Sequence, residues 1–169
     1  MEKCKNSGGK MKLPTREEAI KKIMSKVTDE LVITSTGMIS REVYKVKDRD
    51  RNFYVEGSMG HSLAIGLSIA INSNHKVIVI SGEGSVLMSL GTLILHNKLK
   101  PKNLKHYILD NNCNSSTGGQ PTCSDAVDFE KLAPNTKVIK ISSKKGDVPR
   151  IPLSPKKIKE RFQNAFNNL

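Results

Sequence analysis

The stretch Lys76-Val77-Ile78-Val79-Ile80-Ser81-Gly82-Glu83-Gly84-Ser85 decides the fold. Four consecutive β-branched apolar residues leave no polar face, so 76–80 reads as a strand buried on both sides, as in a parallel sheet covered by helices. The run closes on Ser81-Gly82-Glu83-Gly84, and a helix is expected from Ser85 to Asn97, broken by Leu99-Lys100-Pro101. Working outward, Leu31–Thr34, Phe53–Val55, Leu104–Leu109 and Thr136–Ile141 are further short apolar strands. Between and around them come a helix capped by Thr15 (Ile20, Ile23, Met24 and Val27 as its apolar face), a small-residue helix over Leu63–Ala70, a short helix near Phe129–Leu132, and a helix capped by Ser154 through Ile158, Phe162 and Phe166. Strands alternating with helices predict an α/β fold, one parallel sheet with helices on both faces. Residues 14–169 are expected to form a single domain after a flexible leader, 1–13, marked by Ser7-Gly8-Gly9 and alternating lysines.

Composition narrows the function classes. The chain of 169 residues is 37% hydrophobic and 26% charged, with a formal charge of +12. Residues 1–26 hold eight basic and three acidic residues, 137–161 hold nine and two, and 27–136 balances at eleven against eleven. The excess therefore sits at the two ends, away from every Gly-bearing segment, and aromatics are 4%, too few for a base-stacking platform. Nucleic-acid binding is not expected. No apolar run approaches the ~20 residues that span a bilayer, no apolar stretch follows the charged N-terminus, and three cysteines without a CxxC pair argue against a disulfide framework. A cytoplasmic setting without membrane attachment is the expectation.

In a parallel sheet ligands bind beyond the carboxyl ends of the strands. Four polar segments lie there: Thr36-Gly37, Gly57-Ser58-Met59-Gly60, Gly82-Glu83-Gly84-Ser85 and Asp110–Gln120. At the third, glycines admit a ligand close to the backbone and a helix start offers free N–H groups to an anion. Leu87 stands where a dinucleotide fingerprint needs its last glycine, and no Gly-Lys-Ser/Thr exists, so neither a Rossmann nor a P-loop reading fits. Glu83 between the glycines would repel a diphosphate unless a cation lay between them, and Mg²⁺, a hard cation, takes oxygen ligands and binds through phosphates. Asp110-Asn111-Asn112 offers further oxygens. The pattern is that of a metal–diphosphate clamp.

That clamp resembles the thiamine diphosphate motif, Gly-Asp-Gly followed after a helix and a strand by Asn-Asn; 26 residues separate Gly84 from Asn111 here. Thr36-Gly37-Met38 with Ser40-Arg41-Glu42, Gly57-Ser58-Met59-Gly60-His61-Ser62, Gly118-Gly119-Gln120-Pro121-Thr122 and Pro149-Arg150-Ile151-Pro152-Leu153-Ser154-Pro155 narrow the resemblance to the phosphonopyruvate and sulfopyruvate decarboxylases, in order from about residue 13 to 168. His61 tilts it toward the phosphonate enzyme. The resemblance implies the diphosphate-binding (PP-type) domain of a 2-oxoacid decarboxylase, converting 3-phosphonopyruvate to phosphonoacetaldehyde and CO₂. The alternatives are a sulfopyruvate decarboxylase β subunit and a noncatalytic cofactor-binding relative. It also implies thiamine diphosphate and Mg²⁺ as cofactors, a small anionic 2-oxoacid as substrate, and a heteromer or other oligomer with a pyrimidine-binding α subunit, since the pyrimidine-binding domain is missing.

The residue roles that the resemblance implies are specific. Glu83 stands at the family's metal-binding aspartate, a departure that lengthens the side chain by one methylene, and the rival reading is a turn acid. Asn111 and the Cys113 carbonyl complete the metal set, with Asn112 and the Asn114 carbonyl as the other register. Gly82, Gly84, Ser85, Asn111 and Ser116 would hold the diphosphate, while Gly57, Ser58 and Met59 would grip the rest of the cofactor, Met59 as a wedge beneath it. His61 would orient substrate or shuttle a proton, or else be a hydrogen-bonded histidine at a helix start. Thr36 and Arg41 would meet the phosphonate or sulfonate, unless Arg41 merely pairs with Glu42.

Overall fold

The computed structural model describes residues 13–143 and 146–168. The leader expected over 1–13 lies outside them apart from Leu13. The elements run α1 (Arg16–Met24), β1 (Leu31–Thr34), α2 (Met38–Lys47), β2 (Asn52–Tyr54), α3 (Ser62–Asn72), β3 (Val77–Gly82), α4 (Glu83–Met88), α5 (Leu90–Leu99), β4 (Leu104–Asp110), β5 (Cys113–Asn114), β6 (Gln120–Pro121), a 3₁₀ turn (Ser124–Ala126), α6 (Phe129–Leu132), β7 (Thr136–Lys140) and α7 (Pro155–Asn167).

Five strands form one parallel sheet in the order β2-β1-β3-β4-β7. The apolar run of β3 lies at its centre because both its faces are covered. Ile78 and Ile80 point into a core with Ile20, Met24, Val43 and Tyr54 from α1, α2 and β2. Val77 and Val79 point into the opposite core with Leu63, Leu93, Ile108 and Phe129. Each such side chain, fully buried, contributes roughly 1.5–3 kcal/mol, so the double-sided strand anchors both layers. Gly66 lets α3 approach the sheet closely, since a Cβ there would fall 2.2 Å from Val79 Cγ2. The chain leaves β1 toward β2 and returns to β3 on β1's other side, which opens a crevice beyond the carboxyl ends of β1 and β3.

Local signals account for most boundaries. Thr15 and Glu18 form a reciprocal capping box on α1, and Ser154 caps α7, whose first residue is Pro155. Two features depart from the sequence reading. Helix α2 was not expected between the first two strands: its N-cap is Gly37, without a side-chain cap, and its first turn holds no acid, so no start signal precedes it. The helix expected over 85–97 begins instead at Glu83 and breaks at Ser89 (φ −134°, ψ 45°) into α4 and α5. The break admits the loop before α3, where a Cβ on Gly60 would lie 2.6 Å from Ser89 Oγ.

Candidate active site

A cavity of about 130 Å³ opens in that crevice, lined from the end of β1 by Ser35–Ile39, from β3–α4 by Gly82–Ser85, and from the loop after β4 by Asn111 and Cys113–Ser116. Met59 and Arg16 also line it. The two glycine segments and the asparagine segment are thus brought together from positions far apart in sequence.

Glu83 is the centre of the arrangement. It is 4% exposed, and its Oε1 accepts the Cys113 N–H (3.0 Å) and the Thr122 hydroxyl (3.1 Å). Burial pushes its carboxyl above the ordinary range and the nearby Asp110 charge adds to this, against the lowering effect of the donors it accepts. The longer side chain therefore reaches across to the 110–122 loop and fastens it, a role that a turn acid in solvent would not have. Beneath it, Asp110 Oδ1 accepts the Asn112 N–H (2.9 Å) and the Ser124 hydroxyl (2.7 Å), and Asp110 Oδ2 pairs with Lys140. Asn112 adopts φ 51° and its Oδ1 accepts the Ser124 N–H (3.2 Å), so this side chain holds the turn at 122–124, and it does not line the cavity. Asn111 does line it, and its amide donates to Ser115 Oγ (2.8 Å), which leaves the amide oxygen as the ligand atom it can offer. The Cys113 carbonyl accepts the Ser115 N–H (3.0 Å) and retains a second lone pair.

On the opposite rim Met59 lies within reach of Gly84: a Cβ added there would sit 3.4 Å from Met59 Cε, 3.0 Å from Asn114 Oδ1 and 3.3 Å from Thr122 Cγ2. Any side chain at 84 would fill the cradle. Gly37 (φ 86°) and Gly57 (φ 79°) face open space, with nothing within 4 Å of an added Cβ. The Ser85 hydroxyl accepts the Gly60 N–H (2.9 Å) and so ties this rim to α4. Gly57 donates its N–H to Thr36 Oγ1 (3.3 Å), while its carbonyl accepts from Met59 N (2.7 Å).

Among the described residues no three His, Cys, Asp or Glu side chains converge on a metal position. A cation here would need the Glu83 carboxylate, the Asn111 amide oxygen and the Cys113 carbonyl, an all-oxygen set that suits Mg²⁺. With the Gly84 cradle beside it, this donor set fits a magnesium–diphosphate group.

Other expected residues stand apart. Ser116 lines the cavity but is exposed, and Gly57 and Ser58 are exposed on the rim. His61 is exposed, with Nδ1 3.3 Å from the Met59 carbonyl oxygen, and is not in the cavity wall. Arg41 of α2 does not line the cavity, and Glu42 is not its partner: Glu42 is buried and pairs with Arg16 Nη2 at 2.7 Å. Among the described residues, Arg16, which the sequence reading passed over, is the basic side chain that lines the cavity. A signal was present, since a cation in the first turn of a helix opposes the macrodipole and needs a tertiary reason.

Residues 33–168 match the family described as thiamine pyrophosphate enzyme, C-terminal TPP binding domain. The chain is 40% identical to sulfopyruvate decarboxylase subunit beta of Methanococcus maripaludis, over 90% of this chain and 97% of that one. It is 40% identical to the subunit of the same name from Methanocaldococcus jannaschii, over 91% and 78%. Phosphonopyruvate decarboxylase of Streptomyces viridochromogenes is 43% identical over 71% of this chain, which spans 30% of that longer protein. An X-ray structure from Mycobacterium smegmatis, described as a thiamin diphosphate-dependent enzyme, superposes on 81% of the chain with a TM-score of 0.61 at 12% identity, a likeness of fold. A sheet edge built to cradle a diphosphate, a family match over most of the chain and relatives of this identity lead to one conclusion: the chain belongs to the thiamine diphosphate-dependent sulfopyruvate and phosphonopyruvate decarboxylases, as their TPP-binding C-terminal domain.

Proposed function

We propose that this chain is the β-type subunit of a sulfopyruvate decarboxylase, releasing CO₂ from sulfopyruvate to leave sulfoacetaldehyde. The observation that carries the reading is likeness along this chain: two sulfopyruvate decarboxylase β subunits match 90% and 91% of it, whereas a phosphonopyruvate decarboxylase matches 71%. The first expectation, phosphonopyruvate as substrate, rested on His61, which lies outside the cavity wall, and gives way to the sulfonate. Thiamine diphosphate, when bound, supplies the electron sink for the pair left by the departing CO₂. The chain's own residues bind and orient. Glu83, Asn111 and the Cys113 carbonyl hold Mg²⁺, Gly84 leaves room for the diphosphate, and Met59 supports the other end of the cofactor.

A pyrimidine-binding α subunit belongs to the same proposal. Met88, Ile94, Leu95 and Leu99 of α4 and α5, the helices that follow Gly82, are apolar yet 45–65% exposed. No Asp or Glu occurs between Gly84 and Leu109, whereas Lys98, Lys100, Lys102 and Lys105 do, which favours an acidic-rimmed partner. A cytoplasmic setting is proposed from the unpaired Cys113 and Cys123.

The test is co-expression with the pyrimidine-binding subunit and measurement of CO₂ release. Sulfopyruvate should be favoured in kcat/KM by at least about 10-fold over phosphonopyruvate. The reverse ratio returns the phosphonate assignment, and no release from either points to a noncatalytic relative.

A further inference from the structure

We infer that Arg16 is the anion-binding side chain of the cavity, taking a tetrahedral oxyanion at the wall between α1 and α2, and that Glu42 positions it. This rests on the reading of the cavity as a cofactor and substrate site. The oxyanion is either the terminal phosphate of thiamine diphosphate or the sulfonate of the substrate; the two share one chemistry and are separable by experiment.

Three observations carry the inference. Arg16 is 8% exposed and lines the cavity beside Met38, Glu83 and Asn111. Its Nη2 donates to Glu42 Oε1 at 2.7 Å, but its Nε is buried without a partner, as is Glu42 Oε2. Gly146 packs closely on the pair, since a Cβ there would lie 2.6 Å from Glu42 Oε1 and 3.0 Å from Arg16 Nη2.

The arrangement is unfavourable as pure structure. A cation at the first residue of α1 opposes the helix dipole, and a buried donor without an acceptor loses its hydration for nothing. Replacing such a pair by apolar groups is often neutral or stabilising, so burial alone does not explain it. A tetrahedral oxyanion answers the unfavourable placement of the Arg16 cation and its spare donors. It accepts from a planar fork whose other branch Glu42 has already fixed, and it supplies a further counter-charge to the Arg16 cation. Arg41, on the same helix as Glu42, does not line the cavity and is not required.

The experiment compares wild type with the double variant Arg16→Met/Glu42→Leu, which keeps the volume and removes both charges together. A second variant, Arg16→Lys, keeps the cation and loses the fork. Titration calorimetry at fixed Mg²⁺ uses inorganic diphosphate, thiamine diphosphate and thiamine, and the KM for sulfopyruvate is measured with the partner subunit present. The double variant should bind inorganic diphosphate and thiamine diphosphate about 10- to 100-fold more weakly and thiamine equally, with Arg16→Lys between. Unchanged diphosphate affinity with a KM raised by the same factor also supports the inference and assigns the oxyanion to the substrate. If the double variant fails to fold, Arg16→Lys decides alone: a loss of at least about 3-fold in either reading supports the inference, and none overturns it. A folded double variant with wild-type diphosphate affinity and wild-type KM overturns it and leaves the cofactor reading standing. Wild type that binds neither diphosphate compound removes the cofactor reading, and the inference with it.

Discussion

The loop from Asp110 to Ser124 and the loop from Gly57 to His61 face each other across one cavity but are held differently. The first is gripped from within. Three carboxylate or amide oxygens, from Glu83, Asp110 and Asn112, accept donors of Cys113, Thr122, Asn112 and Ser124. The second folds on its own backbone and meets its surroundings through Gly57 N–H on Thr36 and Gly60 N–H on Ser85, with Gly57, Ser58 and His61 exposed. A rim built on buried acceptors is pre-organised, and such a rim can place metal ligands without a binding-time entropy cost. A rim left exposed has its remaining surface available to another chain. One domain therefore carries a rim fixed by buried acceptors and a rim left open.

The strongest way to break this contrast is Glu83→Ala. It removes the proposed metal carboxylate and strands the Cys113 N–H, so Mg²⁺-dependent binding of thiamine diphosphate should vanish. Unfolding free energy should fall by about 1–3 kcal/mol, the cost of a buried donor without a partner. Calorimetry with and without Mg²⁺, alongside urea unfolding, reads both; metal-dependent binding that survives means the clamp is misassigned. Asp110→Ala attacks the same loop from beneath. Its partner Lys140 is more than half exposed and regains water, so the loss should be about 2 kcal/mol, from the Asn112 N–H and the Ser124 hydroxyl. A loss below the error of the unfolding curve would mean that the loop holds without its buried acceptors.

The sheet under the clamp gives a pH-dependent test. His106 bridges Ser81 Oγ (3.1 Å) and Thr136 Oγ1 (3.0 Å), and burial, with a smaller effect of His96, pushes its pKa down to about 3. Between pH 6.5 and 3 the unfolded chain binds the proton and the folded chain does not, so stability is complete above 6.5 and falls on acidification. The slope should approach about 1.4 kcal/mol per pH unit for this group. Glu83 acts in the opposite sense, because its raised carboxyl takes a proton more readily when folded. The quantity to compare is therefore the difference between wild type and His106→Gln from pH 7 to 5, and parallel curves would exclude the effect. On the exposed rim the expected effects are smaller. Met59→Ala should weaken cofactor binding by about 1 kcal/mol through lost packing against the cradle, with little change in stability. His61→Ala should leave unfolding within about 0.5 kcal/mol. A decarboxylase rate lost with His61 in the assembled enzyme would show that the partner turns this residue into the site.

The strands were legible because their signals are local. The double-sided apolar run of β3 and the glycines that close it survive any context, and so did the capping residues Thr15 and Ser154. Helix α2 was not legible: a glycine N-cap without a side-chain bond and a first turn without acids give no start signal, leaving only the weaker spacing of Ile39 and Val43. The break between α4 and α5 answers to Gly60, a residue outside both helices.

Glycine–carboxylate–glycine, a helix, a strand and then asparagine determined from sequence alone that these segments would meet at one edge of the sheet, because each element is set by its own residues and the sheet must bring their ends to one side. What those side chains do was decided by tertiary structure. Glu83 meets Cys113 and Thr122 across 30 and 39 residues, and Glu42 meets Arg16 across 26. Neighbours in the chain supplied only the rival readings, Arg41 paired with Glu42 and Glu83 as a turn acid, and neither matches the contacts observed. The physical reason is that a charged side chain's partner is set by burial and reach in three dimensions, and where water is excluded a carboxylate must find its donors wherever the fold places them.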